Sequence, residues 1–118
     1  MTTQEIATRL VELCRQGQYE TAQKELYADD AISIEPEGNP MSGKTVGIEG
    51  IIAKGHQFMA MVEEFHGGTV SEPVIAGNVF SVAAVLDATY KGRGRSLMEE
   101  ICVYKVKDGK IISEEFVY

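Results

Sequence analysis

A stretch of the chain between Gly38 and Thr45 matches the spacing of a phosphate-binding loop. Its letters, GNPMSGKT, fit the pattern G-x-x-x-x-G-K-[ST], in which backbone N–H groups surround the phosphates and the lysine reaches their oxygens. The later run SVAAVLD, from Ser81 to Asp87, is typical of the strand that carries the acidic partner of such a loop. Taken alone, these two patterns predict a nucleotide hydrolase.

The elements that would have to position this loop do not fit it. After Phe65 the sequence runs in β-rich stretches that break at Gly77-Asn78, Gly92-Arg93-Gly94 and Asp108-Gly109, and such short breaks make hairpins. A phosphate loop belongs to a parallel sheet, whose neighbouring strands need connections of a dozen or more residues. We therefore expect an antiparallel meander and no nucleotide binding.

Three helices are predicted ahead of this meander. Thr2 and Glu5 have the spacing of a capping box, and an apolar stripe follows until Gly17. A second helix is predicted from Tyr19 to about Tyr27, and a third from a cap at Thr45 to about Phe65. Strands are predicted at residues 31–35, 66–76, 79–91, 96–107 and 110–118.

A sheet of this kind has one face that must be covered, and the helices are the available cover. We expect a single α+β domain over residues 1–118, in which three N-terminal helices pack on a curved, mostly antiparallel sheet. The arrangement predicts a cone with a hollow between the helices and the sheet, which suits a small ligand.

Composition and charge exclude several classes of partner. The chain carries 11 Lys and Arg against 18 Asp and Glu, a net charge of −7, so we expect no nucleic acid and no anionic membrane as a partner. No apolar run reaches the roughly 18 residues that span a bilayer, and the N-terminus lacks a signal-peptide core, so a cytoplasmic protein is expected. Cys14 and Cys102 form no Cys-x-x-Cys motif, which predicts two buried, reduced thiols.

Two motifs resemble a known family. YADDAISIEP at residues 27–36 enters a strand after two helices, and YKVKDGKII at residues 104–112 closes the meander. With the order of elements, they look like the nuclear-transport-factor-2-like superfamily, and within it the SnoaL-like (polyketide-cyclase-like) and ketosteroid-isomerase-like proteins. The resemblance implies a cystatin-like cone with a small-molecule pocket, a homodimer and no cofactor. This fold hosts isomerases, dehydratases, cyclases and plain binding modules, so it does not by itself identify a reaction.

The resemblance also implies a carboxylate base. In ketosteroid isomerases the base is the residue before the proline that ends the first strand, which here is Glu35. The family's oxyanion donors, a tyrosine and an acid, fall at Leu10 and Cys102, neither of which supplies a strong hydrogen bond. The other interpretation of Glu35 is an exposed carboxylate at the end of a strand.

Strand alternation gives further candidates. If Cys102 faces the hollow, as the resemblance implies, every second residue of its strand faces it too, and the last strand is counted in the same way. The inward set is then Met98, Glu100, Cys102 and Tyr104, followed by Ile112, Glu114, Phe116 and Tyr118. The opposite alternation stays open, and it would turn Glu100 to water and bring in Leu97, Ile101 and Val103.

With the first alternation, Glu35, Glu100 and Glu114 share an enclosure lined by Met, Phe and Tyr. Desolvation and mutual repulsion raise the pKa of carboxyl groups in such surroundings. A neutral acid beside an ionised one is the arrangement that proton transfer needs.

Three more residues are candidates for the pocket: His56, Met59 and His66. The histidines could shuttle protons or contact a ligand, and a surface position is the alternative for each. We expect no metal site, because the spacing of the two histidines matches no known ligand pattern.

Two functions of different classes follow. The first is a small isomerase, cyclase or dehydratase that acts by acid–base catalysis on an apolar, carbonyl-containing molecule, with Glu35 as base and Glu100 or Glu114 as acid. The second is a non-catalytic, metabolite-binding or stress-associated module that uses the same pocket. In either case the outer sheet face is too apolar to stay exposed, and we expect a homodimer through Ala83, Val85, Leu97, Ile101 and Val103.

Overall fold

Three helices and one mixed sheet form the part of the chain that the computed structural model describes, residues 1–38 and 42–118. The elements are α1 (Thr3–Arg15), α2 (Tyr19–Leu26), β1 (Tyr27–Glu35), β2 (Gly43–Val46), α3 (Ile48–Met61), β3 (Val62–Val70), β4 (Val74–Ala76), β5 (Val79–Tyr90), β6 (Gly94–Lys107) and β7 (Lys110–Val117). The strand order is β2-β1-β7-β6-β5-β3, and β4 pairs with β5. All pairs are antiparallel except β1 with β7. The predicted α+β class, with three N-terminal helices and a mostly antiparallel sheet, is confirmed.

Helix α1 forms for the reasons that its sequence predicts. The Thr2 hydroxyl accepts a hydrogen bond from the Glu5 N–H at 3.1 Å, and the Glu5 carboxylate accepts one from the Thr2 N–H at 2.8 Å. This reciprocal cap satisfies donors that a helix start leaves unpaired. The buried stripe of Ile6, Leu10 and Leu13 joins the core, and Gly17 follows the helix end with φ +73°.

The predicted helix cap at Thr45 is wrong, because Thr45 belongs to strand β2. The β1–β2 register pairs Ser33 with Thr45 and Ile34 with Lys44, so this segment forms a hairpin. Helix α3 begins only at Ile48. Lys44 and Thr45 therefore do not lie at a helix start, where a phosphate loop needs them. Residues 39–41 of the matched motif lie outside the described residues.

Helix α3 ends earlier and the sheet begins earlier than the sequence predicts. Strand β3 starts at Val62, and Val62, Glu64 and Phe65 already pair with β5. The residues there have a helical spacing, but backbone hydrogen bonds to the neighbouring strand make the segment a strand. The predicted strand over residues 66–76 is two strands, β3 and β4, interrupted just before Val74 by Pro73, which has no N–H to donate.

Burial decides between the two alternations of the long strands. On β5 and β6, Phe80 and Tyr104 are buried and stacked with their ring centroids 4.8 Å apart, whereas Leu97 is 56% exposed and Ile101 45% exposed. The even-numbered residues of these strands therefore face the helices, and Glu100 lies on that inner face.

A β-bulge changes this count on β7. Val106 pairs with Ile111, while Lys105 pairs with Ser113, so the register shifts between these pairs. As a result Ile111 is fully buried and takes the inward place that simple alternation predicts for Ile112. From Glu114 onward the even-numbered positions of β7 again face inward.

Candidate active site

The register of three neighbouring strands brings the predicted glutamates to one part of the inner face. Parallel pairing of β1 with β7 sets Ser33 beside Glu114, and antiparallel pairing of β7 with β6 sets Glu114 beside Tyr104. Glu35 lies two residues beyond Ser33 on β1, and Glu100 lies on the same face of β6 as Tyr104. The three carboxyl groups therefore project from adjacent strands toward the helices.

Glu114 is the deepest of the three. Glu114 is only 3% exposed. One of its carboxyl oxygens accepts a hydrogen bond from the Tyr27 hydroxyl, and the other accepts one from the Ser33 hydroxyl at 2.6 Å. Burial raises the pKa of Glu114 above its ordinary value, although both hydrogen bonds and the charge of Lys54 oppose this rise. A buried carboxyl with both oxygens occupied is suited to holding its neighbours in place.

Lys54 of α3 connects Glu114 with Glu35. Its ammonium donates a hydrogen bond to the Ser33 Oγ, lies 3.4 Å from the Glu35 Oε1, and sits 5.3 Å from the centroid of the Phe116 ring. The side chains of Lys54 and Glu35 are each only 13% exposed. Lys54 follows the buried Ile51 by one helical turn, so its stem points to the sheet.

Glu35 is held at the end of β1 by two donors. Lys54 approaches its Oε1, and the Tyr118 hydroxyl donates to its Oε2 at 3.1 Å. The ion pair is largely shielded from water, and such a pair is screened less than one on the surface. Glu35 is therefore not the exposed carboxylate of the alternative interpretation.

Glu100 differs from the other two in its surroundings. Burial, followed by the negative charge of Glu35, raises the pKa of Glu100 to about 7, with Glu114 adding to the rise. The Cys102 thiol lies within donating distance of the Glu100 Oε1, at 3.6 Å, and opposes the rise. Near neutral pH this carboxyl therefore exists both with and without its proton.

Five of the other predicted pocket residues lie in or around the inner face: two are buried, two are partly buried, and one contacts Glu35 through its hydroxyl. Cys102 and Tyr104 are buried, while Met98 and Phe116 are partly buried on the inner face. Burial also raises the pKa of the Cys102 thiol well above its usual range. Tyr118 is half exposed, but its hydroxyl contacts Glu35.

The structure does not bring His56, Met59 or His66 to the three candidate glutamates of the inner face. The turn of α3 that directs Ile51 and Lys54 to the sheet leaves the His56 side chain 69% exposed against Glu20, and Met59 54% exposed. The His66 Nε2 lies 2.7 Å from the Thr89 Oγ1. Because Thr89 is an odd-numbered residue of β5, that contact is on the outer sheet face.

Tyr27, Ser33 and Lys54 are the site residues that sequence reasoning missed. Tyr27 and Ser33 lie within the motif that carries the family resemblance, which was the available signal. Lys54 gave only a weak signal, its spacing of three from Ile51, because a lysine on a helix is ordinarily solvated.

The helices cover only part of the inner sheet face. Phe80 and Val82 are buried under them, whereas Leu86, Met98 and Glu100 on the same face are partly exposed. Two shallow depressions lie elsewhere, on the surface of α1 beside Thr8 and Glu12. An open hollow at the glutamates therefore stays a prediction, with its entrance expected at the Glu100 side.

Within residues 1–38 and 42–118, no three His, Cys, Asp or Glu side chains are grouped so that they could hold a metal ion. None of the helices in these ranges has the length and apolar character needed to cross a membrane.

Comparison with known proteins gives the family. The chain belongs to the SnoaL-like domain family, whose sequence profile matches residues 1–118. The crystal structure of a proposed SnoaL-like polyketide cyclase from Mesorhizobium loti is 37% identical, with a TM-score of 0.93 over 100% of both chains. The resemblance predicted from the sequence is thereby confirmed. No curated protein matches the chain.

More distant structures share the fold. A nuclear-transport-factor-2-like protein of unknown function from Burkholderia pseudomallei is 15% identical, with a TM-score of 0.81 over 100% of this chain and 92% of its own. A Catenulispora acidiphila protein with a ketosteroid isomerase-like fold, solved in complex with trimethylamine, is 20% identical, with a TM-score of 0.74 over 97% of this chain and 85% of its own.

Proposed function

We propose that this chain is a small-molecule enzyme that acts by general acid–base catalysis on an apolar carbonyl compound. Glu35 is the base and Glu100 is the acid. The observation that carries the proposal is the difference between these two carboxyl groups on one sheet face. Glu35 forms a shielded ion pair with Lys54, whereas burial and neighbouring charges raise the pKa of Glu100 to about 7. An ion-paired carboxylate and a carboxyl group with a raised pKa thus share one sheet face, as acid–base catalysis requires.

The proposed reaction is proton transfer next to a carbonyl group. A Glu35 oxygen removes a proton from the carbon beside the carbonyl. The electron pair of that C–H bond forms a carbon–carbon double bond, and the π pair of the C=O bond moves to the carbonyl oxygen. The protonated Glu100 gives its proton to that oxygen, which leaves an enol and an ionised Glu100. Return of the proton from Glu35 to the same or another carbon, with Glu100 reprotonated, completes an exchange or an isomerisation.

We assign Glu114 the role of positioning its neighbours, and not the role of the general acid. Both of its oxygens already accept hydrogen bonds, from Tyr27 and Ser33, and its residue is almost wholly buried. Through Ser33 it holds the ammonium of Lys54 in place. The side chains of Met98 and Phe116 near Glu100 and Glu35 favour a substrate with an apolar body.

Hydrogen–deuterium exchange of ketones in D₂O tests the proposal. The probes are acetophenone, cyclohexanone and 1-indanone, and NMR follows the loss of the signals of the hydrogens beside the carbonyl. We expect exchange above the buffer rate, and a fall of about 100-fold or more with Glu35→Gln or Glu100→Gln. The matched control is Glu99→Gln, an exposed neighbour on the outward face of β6, which should exchange as the parent does.

The alternative is a non-catalytic module that binds a small metabolite at the same place. It is favoured by Leu10 and Cys102 at the positions of the family's oxyanion donors, because Leu10 is apolar and the Cys102 thiol is a weak donor. The trimethylamine complex of the Catenulispora acidiphila protein is a case of this fold with a small ligand. Ketone binding that survives both glutamine substitutions, without exchange in any variant, would establish this alternative.

We also propose a homodimer through the outer sheet face. Leu97 and Ile101 are exposed there on one strand, and Val117 is exposed beside Ile101 on the next. Several large apolar side chains exposed on one sheet face favour an interaction surface there. Light scattering should give twice the mass of 12.9 kDa, and Ile101→Glu should give the monomer; a monomeric parent would contradict the dimer.

A further inference from the structure

The hydroxyl of Tyr90 is buried and has no hydrogen-bond partner among the described residues. A hydroxyl can donate one hydrogen bond and accept two. Leaving such a group buried without a partner is unfavourable, so it needs an explanation in a folded protein. Every other buried side-chain oxygen or nitrogen in the described chain with so little accessible surface has a partner.

Tyr90 lies at the end of the inner sheet face, against helix α3. It is an even-numbered residue at the end of β5, so its side chain points to the helices. Its ring meets the ring of Phe58 from α3 edge to face, with 6.1 Å between the centroids. The β5–β6 register places Leu86 beside Met98 between Tyr90 and Glu100 on this face, and these two side chains are partly exposed.

The environment keeps the Tyr90 hydroxyl in its donating form. Burial, followed by the negative charge of Glu100, raises the pKa of Tyr90 above its ordinary value. Phe58 supplies an apolar wall beside the Tyr90 ring, and Leu86 and Met98 lie further along the same sheet face. A donor beside an apolar ring, on a face with further apolar side chains, fits a ligand that carries an oxygen on an apolar body.

We infer that Tyr90 is a specificity-determining residue, whose hydroxyl donates a hydrogen bond to the carbonyl oxygen of the ligand. This inference rests on the carbonyl ligand of the proposed function, but it does not require that any catalysis occurs. It assigns a hydrogen-bond donor to the end of the inner face beside Phe58. Leu10 and Cys102, at the positions of the family's oxyanion donors, supply no strong hydrogen bond. The ligand class is an apolar ketone or aldehyde.

The test compares two ligands of matched size, acetophenone and ethylbenzene, which differ by the carbonyl oxygen. Two-dimensional NMR titrations give the Kd of each for the parent chain, for Tyr90→Phe and for Thr89→Val. Thr89→Val is the matched control, because it removes the neighbouring hydroxyl, which contacts His66 on the outer face.

We expect Tyr90→Phe to weaken acetophenone binding relative to ethylbenzene by about 2- to 10-fold, the range of one neutral hydrogen bond. The infrared stretching band of the bound carbonyl should move to higher frequency in Tyr90→Phe. The thermal midpoint of Tyr90→Phe should equal or exceed that of the parent, because the lost hydroxyl had no partner. Thr89→Val should leave the ratio of the two Kd values unchanged.

An unchanged ratio of Kd values in Tyr90→Phe would overturn the inference, as would a parent chain that binds no acetophenone. A lower thermal midpoint with an unchanged ratio would assign the hydroxyl to structure. Absence of hydrogen–deuterium exchange does not bear on this test, which measures binding alone. Failure of the catalytic proposal and failure of the Tyr90 assignment are therefore separate results.

Discussion

The hydroxyl of Ser33 donates a hydrogen bond to Glu114 at 2.6 Å and accepts one from the ammonium of Lys54. Ser33 is fully buried on β1, so this one oxygen connects a carboxyl of β7 with a cation of α3. The polar chain continues to Glu35 through Lys54. Three elements that are distant in sequence are thus fixed to one another at the candidate active site.

Replacing Ser33 with alanine should destabilise the fold. Ser33→Ala leaves a Glu114 oxygen and a Lys54 donor without this partner in buried surroundings, which costs about 1–3 kcal/mol of unfolding free energy. Urea unfolding of the parent and the variant measures the change. Ser96→Ala removes an exposed serine hydroxyl and should change stability by less than about 0.5 kcal/mol. Equal unfolding midpoints for Ser33→Ala and the parent would show that the linkage is unimportant.

The raised pKa of Glu100 should make stability fall as pH rises. The unfolded chain loses the Glu100 proton near pH 4.5, whereas the folded chain keeps it to about pH 7. In that interval the unfolded state binds fewer protons, so the free energy of unfolding decreases with pH. The decrease from this group amounts to at most about 3 kcal/mol.

Glu100→Gln provides the comparison for that pH dependence. Its stability curve should lack the fall due to Glu100, so the variant should gain on the parent between pH 4.5 and about 7. Urea unfolding at half-unit steps of pH would measure both curves. Parallel curves for the parent and Glu100→Gln would show that Glu100 has no raised pKa in the folded chain.

Both thiols should be unreactive in the folded chain. Burial raises the pKa of Cys14 to about 11 and that of Cys102 still higher, and the thiolate is the reactive form. Ellman's reagent at pH 8 should therefore react slowly with native protein and rapidly with both thiols in urea. Rapid reaction of a thiol under native conditions would contradict the burial of Cys102 on β6 or of Cys14 on α1.

Local signals predicted the elements that depend on neighbours in sequence. The capping box of Thr2 and Glu5 and the stripe after it identified α1, and alternation identified β5 and β6. Strand β2 was missed because Gly43 and its surroundings have the composition of a loop, and only pairing with β1 makes a strand of them. The start of β3 at Val62 was missed because a helical spacing of residues continues to Phe65, and only pairing with β5 makes a strand there.

The candidate site was predicted only as far as one strand face could be counted. Glu100 and Glu114 follow from alternation once the inward face is chosen, and burial supports that choice. His56 and Lys54 lie two positions apart on α3, and which of them meets the sheet depends on how the helix is rotated. Helix rotation is set by packing against the sheet, which the spacing of apolar residues in α3 does not specify finely enough.

The most direct measurement of the central claim is a site-resolved titration of the Glu100 carboxyl carbon by NMR. We expect a pKa of about 7 in the parent. It should fall in Glu35→Gln, which removes a negative charge, and rise in Lys54→Met, which removes a positive one. A pKa near 4.5 in the parent, unmoved by either substitution, would contradict an acid–base site on this face of the sheet.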